Sequence, residues 1–135
     1  MRHGRYLMQI SGCNDCHPPG FMQNDGKEAE ADKLRGGAMG WQGPWGTTYA
    51  SDLRLPVYAM DEAAWLARSR QPMRPPMPSP SLRAMNDDDL KAMYRYIKSL
   101  GPRGVAAPGY VPPGGKVATP YLDLHPKNLP QQTAK

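Results

Sequence analysis

Cys13-Asn14-Asp15-Cys16-His17 sets two thiols three positions apart, with an imidazole directly after the second. This C-x-x-C-H spacing is the attachment signature of a c-type haem. On one turn of chain the two thiols reach the two vinyl groups along one porphyrin edge. The adjacent imidazole then lies under the iron as an axial ligand. Other readings of paired cysteines fit less well. A thioredoxin-like redox pair needs a strand–helix–strand setting, which the flanking residues do not supply. Zinc would need a further ligand from His3 or His125, and adjacent Cys16 and His17 are awkward partners in one tetrahedron. A disulfide across so short a loop removes little entropy from the unfolded chain.

The composition suits a chain completed by a cofactor. Its 135 residues are enough for one domain, but only 39% are hydrophobic, and 14 glycines and 16 prolines break the chain up. A covalently held haem would supply the missing apolar volume, and the apo-chain is expected to be largely unfolded. The formal charge is +5, from 17 basic and 12 acidic side chains. A ferric porphyrin with two ionised propionates lowers this to roughly +4. Such a surface favours encounter with an acidic partner. No dense Lys/Arg run with interleaved aromatics points to nucleic acid. No segment approaches the roughly 18 apolar residues of a membrane span. No signal peptide is recognisable either. Because attachment of this type belongs outside the bacterial cytoplasm, a periplasmic location is expected, with signal or anchor absent from this chain.

Outward from the motif, residues 3–11 read as a short helix with Tyr6, Leu7 and Ile10 on one stripe, ended by Gly12. Gly4 would let another helix approach closely. Pro18-Pro19-Gly20 leaves the helical conformation at once, and residues 21–40 read as a polar surface loop with one irregular helical turn. Residues 41–56 gather aromatics, hydroxyls and an Arg. Trp45, Tyr49 and Arg54 are candidate partners for buried propionates, which must be hydrogen-bonded or paired. Ordinary aromatic packing accounts for them equally well. Residues 61–70 form a second helix, acidic at its start and basic at its end, with Trp65 and Leu66 towards the haem crevice.

Residues 71–81 hold five prolines, with Met73 and Met77 among them. Thioether sulfur is a weak neutral ligand that raises the potential of a haem. Met77, between Pro76 and Pro78, is the more rigidly placed, because prolines restrict both themselves and the residue before them. Met73 would draw Arg74 towards a low-dielectric crevice, and His125 would need the tail to cross the haem face. Residues 86–100 read as the clearest helix. Asn86 is its N-cap, three aspartates fill its first turn, and Leu90, Met93, Tyr94, Ile97 and Leu100 form one face before Gly101-Pro102. Residues 103–135 are extended and proline-rich, with Tyr110, Val117, Tyr121, Leu122 and Leu124 as apolar anchors.

With these residues placed, the chain resembles the class I cytochromes c, and is similar to the single-haem cytochrome subunits and domains of bacterial dehydrogenases. The stretches that carry this are Gly4-Arg5-Tyr6-Leu7 leading into Cys13–His17, Gly46-Thr47-Thr48-Tyr49-Ala50-Ser51, Pro75-Pro76-Met77-Pro78, and Asp88-Asp89-Leu90-Lys91-Ala92 through Ile97. The resemblance implies an all-α fold with helices around one covalent haem c. It places the haem domain at residues 1–103 and an extended tail at 104–135, packed on the domain or a neighbour. Cys13 and Cys16 would hold the haem, with His17 and Met77 as its axial ligands. The Pro44 region would pack beside His17 and orient its ring. Gly4, Met93 and Tyr96 would mark the crossing of the first and last helices. The family often has Asn-Leu where this chain has Asp52-Leu53, and an acid there would repel a propionate. The expected function is one-electron transfer by a six-coordinate haem, from a dehydrogenase to a respiratory acceptor, with no catalysis by the chain itself. The alternative is an open sixth site, serving a gas sensor or a small-substrate redox enzyme.

Overall fold

A computed structural model describes residues 1–18, 20 and 23–131. In chain order it contains α1 (Arg2–Ile10), α2 (Cys13–Cys16), a 3₁₀ turn (Glu30–Asp32), β1 (Gly40–Gly43) and β2 (Gly46–Tyr49). After these come α3 (Arg54–Ala59), α4 (Glu62–Ser69), α5 (Ser79–Ala84), α6 (Asp87–Leu100) and β3 (Tyr121–Asp123).

The core is built on α6. The Asn86 side chain accepts the N–H of Asp89 at 2.7 Å, and Asp87, Asp88 and Asp89 face the positive end of the helix dipole. Leu90, Met93 and Ile97 are fully buried along one face. α1 crosses this face with Leu7 and Met8 inward, and Gly4 lies against Ala92 and Tyr96, where a side chain could not fit. α3 and α4 close the other flank through Val57 and Trp65, whose indole N–H donates to the Leu90 carbonyl at 2.7 Å. The Asp61 carboxylate caps α4 by accepting from the Ala64 N–H at 2.7 Å.

The loop before β1 is more anchored than its polarity suggests. Leu34 is fully buried, and Glu30 accepts bonds from Arg5, Lys33 and the Tyr96 hydroxyl. The part of this loop at Phe21 and Met22 lies outside the described residues, as does Pro19.

The all-α expectation needs correction, because the helices are joined by a small three-stranded sheet of order β2-β1-β3. β1 and β2 form an antiparallel hairpin with Gly40 opposite Tyr49 and Gly43 opposite Gly46. β3 lies parallel to β1, with Gly40 beside Tyr121 and Gln42 beside Asp123. Glycines make this possible: a side chain at Gly40 would press on Thr47 and Tyr121, and Gly46 takes φ 110°. The stretch 104–131 thus runs extended with two points of backbone pairing. Val111 exchanges two hydrogen bonds with Thr47, at 2.8 and 3.0 Å, and the Leu124 N–H donates to Gln42 at 2.7 Å. Among the described residues no helix is long and apolar enough to cross a membrane.

Candidate haem site

Gly12, at φ 70°, turns the chain out of α1 and starts α2 in a new direction. The single turn of α2 puts Cys13, Cys16 and the following His17 on one wall of a cavity of about 470 Å³, a size typical of cofactor sites. Met73 and Met77 line it from the proline-rich loop, and Leu53, Val57, Trp65 and Leu82 give it apolar walls. At the rim lie Trp41, Thr48, Tyr49, Arg68, Arg74 and Tyr110.

His17 is 7% exposed, and its Nδ1 lies 2.7 Å from the Ser51 carbonyl oxygen. That contact assigns the ring proton to Nδ1 and leaves the Nε2 lone pair available to a metal. Burial pushes the imidazole pKa down, against the opposing effect of the Ser51 carbonyl, so the ring is held neutral, as a ligand must be. Burial pushes the Cys13 thiol up to about 11, and raises that of Cys16 as well. Raised thiol values weigh against thiolate ligation of a bare ion, which needs the deprotonated form. Among the described residues no cluster of three or more His, Cys, Asp or Glu side chains is placed to hold a metal ion.

The structure distributes the other expected site residues unevenly. Tyr49 lines the cavity. Pro44 is exposed at the hairpin tip, and the atom that orients His17 is the Ser51 carbonyl, so that role moves from the Pro44 region to the stretch just after β2. Trp45 does not reach the cavity; its indole N–H donates to Thr48 Oγ1 at 3.3 Å. Arg54 does not reach it either. Its buried guanidinium donates to the carbonyls of Gly101 (2.8 Å), Leu100 and Ala31, satisfying the free end of α6. Leu66 packs against the core away from the cavity, and His125 is on the exposed tail, bonded to Asp123 at 2.6 Å.

Asp52 also faces elsewhere. It is 2% exposed, one carboxylate oxygen accepts the Arg54 N–H at 3.0 Å, and burial pushes its pKa up. Arg74 is not drawn into the crevice beside Met73. It stays exposed at the rim with its guanidinium 3.7 Å above the Tyr110 ring, so the desolvation cost counted against Met73 does not arise. Sequence reasoning missed Ser51, which acts through its backbone and so carries no side-chain signal. It also missed Trp41, Arg68 and Arg74 as rim residues, and gave Tyr110 only the role of an apolar anchor.

The donor set fits one large planar cofactor: two neutral thiols and a neutral imidazole on one wall, and two thioethers from the facing loop. Covalent haem attachment is the chemistry that uses both thiols and the imidazole together. The chain belongs to the cytochrome c family, whose family model matches residues 2–101, and it is a class I c-type cytochrome. Its cofactor is a covalently bound haem c with iron, and its chemistry is haem-based electron transfer. Comparison with curated proteins and with solved structures gives no match.

Proposed function

We propose that the chain is a one-electron carrier in which His17 and Met77 hold the haem iron from opposite sides. The haem supplies a ferrous/ferric couple. The residues of this chain supply an environment that changes little between the two states. Cys13 and Cys16 fix the porphyrin edge, and Ser51 fixes the plane of the His17 ring. Leu53, Val57, Trp65 and Leu82 exclude water from the inner faces.

The observation that carries this reading is the pair of methionines lining the cavity entered by His17. With both axial positions filled by protein, no place is left for a substrate. Met77 is favoured over Met73 because it sits between Pro76 and Pro78, and because its carbonyl accepts the Ser79 N–H at 2.7 Å, which fixes the backbone just past it. The partners are redox proteins with acidic docking faces. A dehydrogenase subunit as donor is consistent with the basic surface, and so is a periplasmic setting, where haem attachment takes place.

The test compares Met77→Ala and Met73→Ala in the ferric holo-protein. Met77→Ala is expected to abolish the weak long-wavelength sulfur–iron band, lower the potential and admit carbon monoxide in the ferrous state. Met73→Ala is expected to leave all three as they are. Exchanged phenotypes would move the ligand to Met73. Rapid stoichiometric carbon monoxide binding by the unmodified protein would replace the carrier reading with an open sixth site.

A further inference from the structure

The chain beyond α6 takes part in the haem site. Pro108 and Tyr110 both line the cavity, although they lie outside the span that matches the family. Tyr110 is held from two sides. Its hydroxyl donates to the Trp45 carbonyl at 2.6 Å, and the next residue, Val111, exchanges two backbone hydrogen bonds with Thr47. Gly46 makes room for this seat, since a side chain there would strike the Val111 carbonyl and the Tyr110 ring. The Tyr110 ring also carries the Arg74 guanidinium, 3.7 Å from its centroid. The loop residue after Arg74 is held by the same hairpin: Thr48 Oγ1 donates to the Pro75 carbonyl at 2.7 Å.

These contacts close a circuit running from hairpin to tail, from tail to Arg74, and from the loop back to the hairpin. The circuit matters because prolines leave the loop short of backbone donors. Its far end is fixed by Ser79, which bonds Met73 N and Met77 O. Among the described residues, the stretch Arg74–Pro76 is held by Thr48 and by the Tyr110 stack. We infer that residues 108–111 are a strap that fixes the methionine-bearing loop over the haem, with Tyr110 as a positioning residue acting through Arg74. The inference rests on the reading that a sulfur of this loop ligates the iron.

A strap of this kind sets how readily the sulfur gives way to a competing ligand, a property that bulk stability alone does not determine. Imidazole is the probe, titrated into the ferric full-length holo-protein, with the sulfur–iron band and the reduction potential as readouts. Tyr110→Leu removes the ring face and the hydroxyl together, and is expected to tighten apparent imidazole binding about two- to fivefold, the scale of losing an exposed cation–π contact. Tyr110→Phe keeps the ring under Arg74 and is expected to stay much closer to the parent protein. Arg74→Gln is expected to reproduce Tyr110→Leu, and the double variant to add little to either single change.

Parent-like imidazole affinity in Tyr110→Leu overturns the strap, and fully additive effects overturn the route through Arg74. A parent protein that lacks the sulfur–iron band would instead refute methionine ligation itself, so the two failures are distinguishable. Tyr110 and Arg74 are both exposed, and Arg74→Gln and Tyr110→Phe keep the test available if Tyr110→Leu folds poorly.

Discussion

Replacing Gly4 by Ala tests the contact that seals the domain. A Cβ at this position would lie 2.7 Å from the Ala92 carbonyl carbon and 2.9 Å from Tyr96 Cβ, and closer still to the Ala92 oxygen. Carbon atoms in packed interiors rest about 3.5–4.0 Å apart, so α1 and α6 must separate by about 1 Å. The obstacle is backbone, which cannot swing aside as a long side chain could. Overpacking of this kind costs about 1–3 kcal/mol, and separation also loosens Leu7, Met8, Leu90, Met93 and Ile97. Against this stands the better helix propensity of Ala, about 1 kcal/mol. The clash wins, with a net loss of about 1 kcal/mol and a fall in Tm of about 3–6 °C. Thermal unfolding of the ferric holo-protein measures it, with Gly109→Ala as control, because a side chain there meets nothing within 4 Å. If Gly4→Ala melts with the control, α1 and α6 do not approach as closely as described.

Two further outcomes follow from charge. Burial raises the pKa of Glu30, but hydrogen bonds from Tyr96, Lys33 and Arg5 outweigh it and hold the carboxyl at about 2, below its usual 4.5. A depressed value means the stabilisation is complete above pH 4.5 and is lost as pH falls towards 2, so Glu30→Gln should lower Tm by a few degrees at neutral pH and flatten its acid limb; an unchanged acid limb refutes the assignment. Electron transfer to a partner should slow as ionic strength rises from about 0.01 to about 0.15 M, because basic side chains steer the encounter. A rate independent of salt would mean the +5 charge does no steering.

The parts legible in the sequence are those whose signal is local. The haem motif, the Asn86 cap with its three aspartates and the Gly101 stop all lie within a few residues of what they specify. The Gly4 crossing could be read because a side-chain-free position in an amphipathic helix has few other uses. The hairpin could not, since Gly40, Gly43 and Gly46 interrupt any alternation and its edges are completed by Val111 and residues 121–123, far along the chain. α3 and α5 were hidden by Pro56 and Pro80, which sit in first turns where the missing N–H costs nothing. Arg54 misled for a different reason. An arginine near a haem motif suggests a propionate, but two backbone carbonyls at the end of α6 and that of Ala31 in the 3₁₀ turn claim it first, and only the folded chain brings them to it.

The path of the tail has a consequence for solubility. A two-stranded hairpin has two open edges, each a row of unpaired backbone groups able to recruit another chain. Here one segment guards both: Val111 bonds the outer edge of β2, and residues 121–124 then pair along the outer edge of β1. The guard adds little new edge of its own. β3 is three residues long, and Pro120 and Pro126 flank it, each lacking the N–H that a continuing ladder requires. A chain ending soon after α6 would keep the helices and the haem motif but leave the hairpin with both edges bare, a template for association between copies.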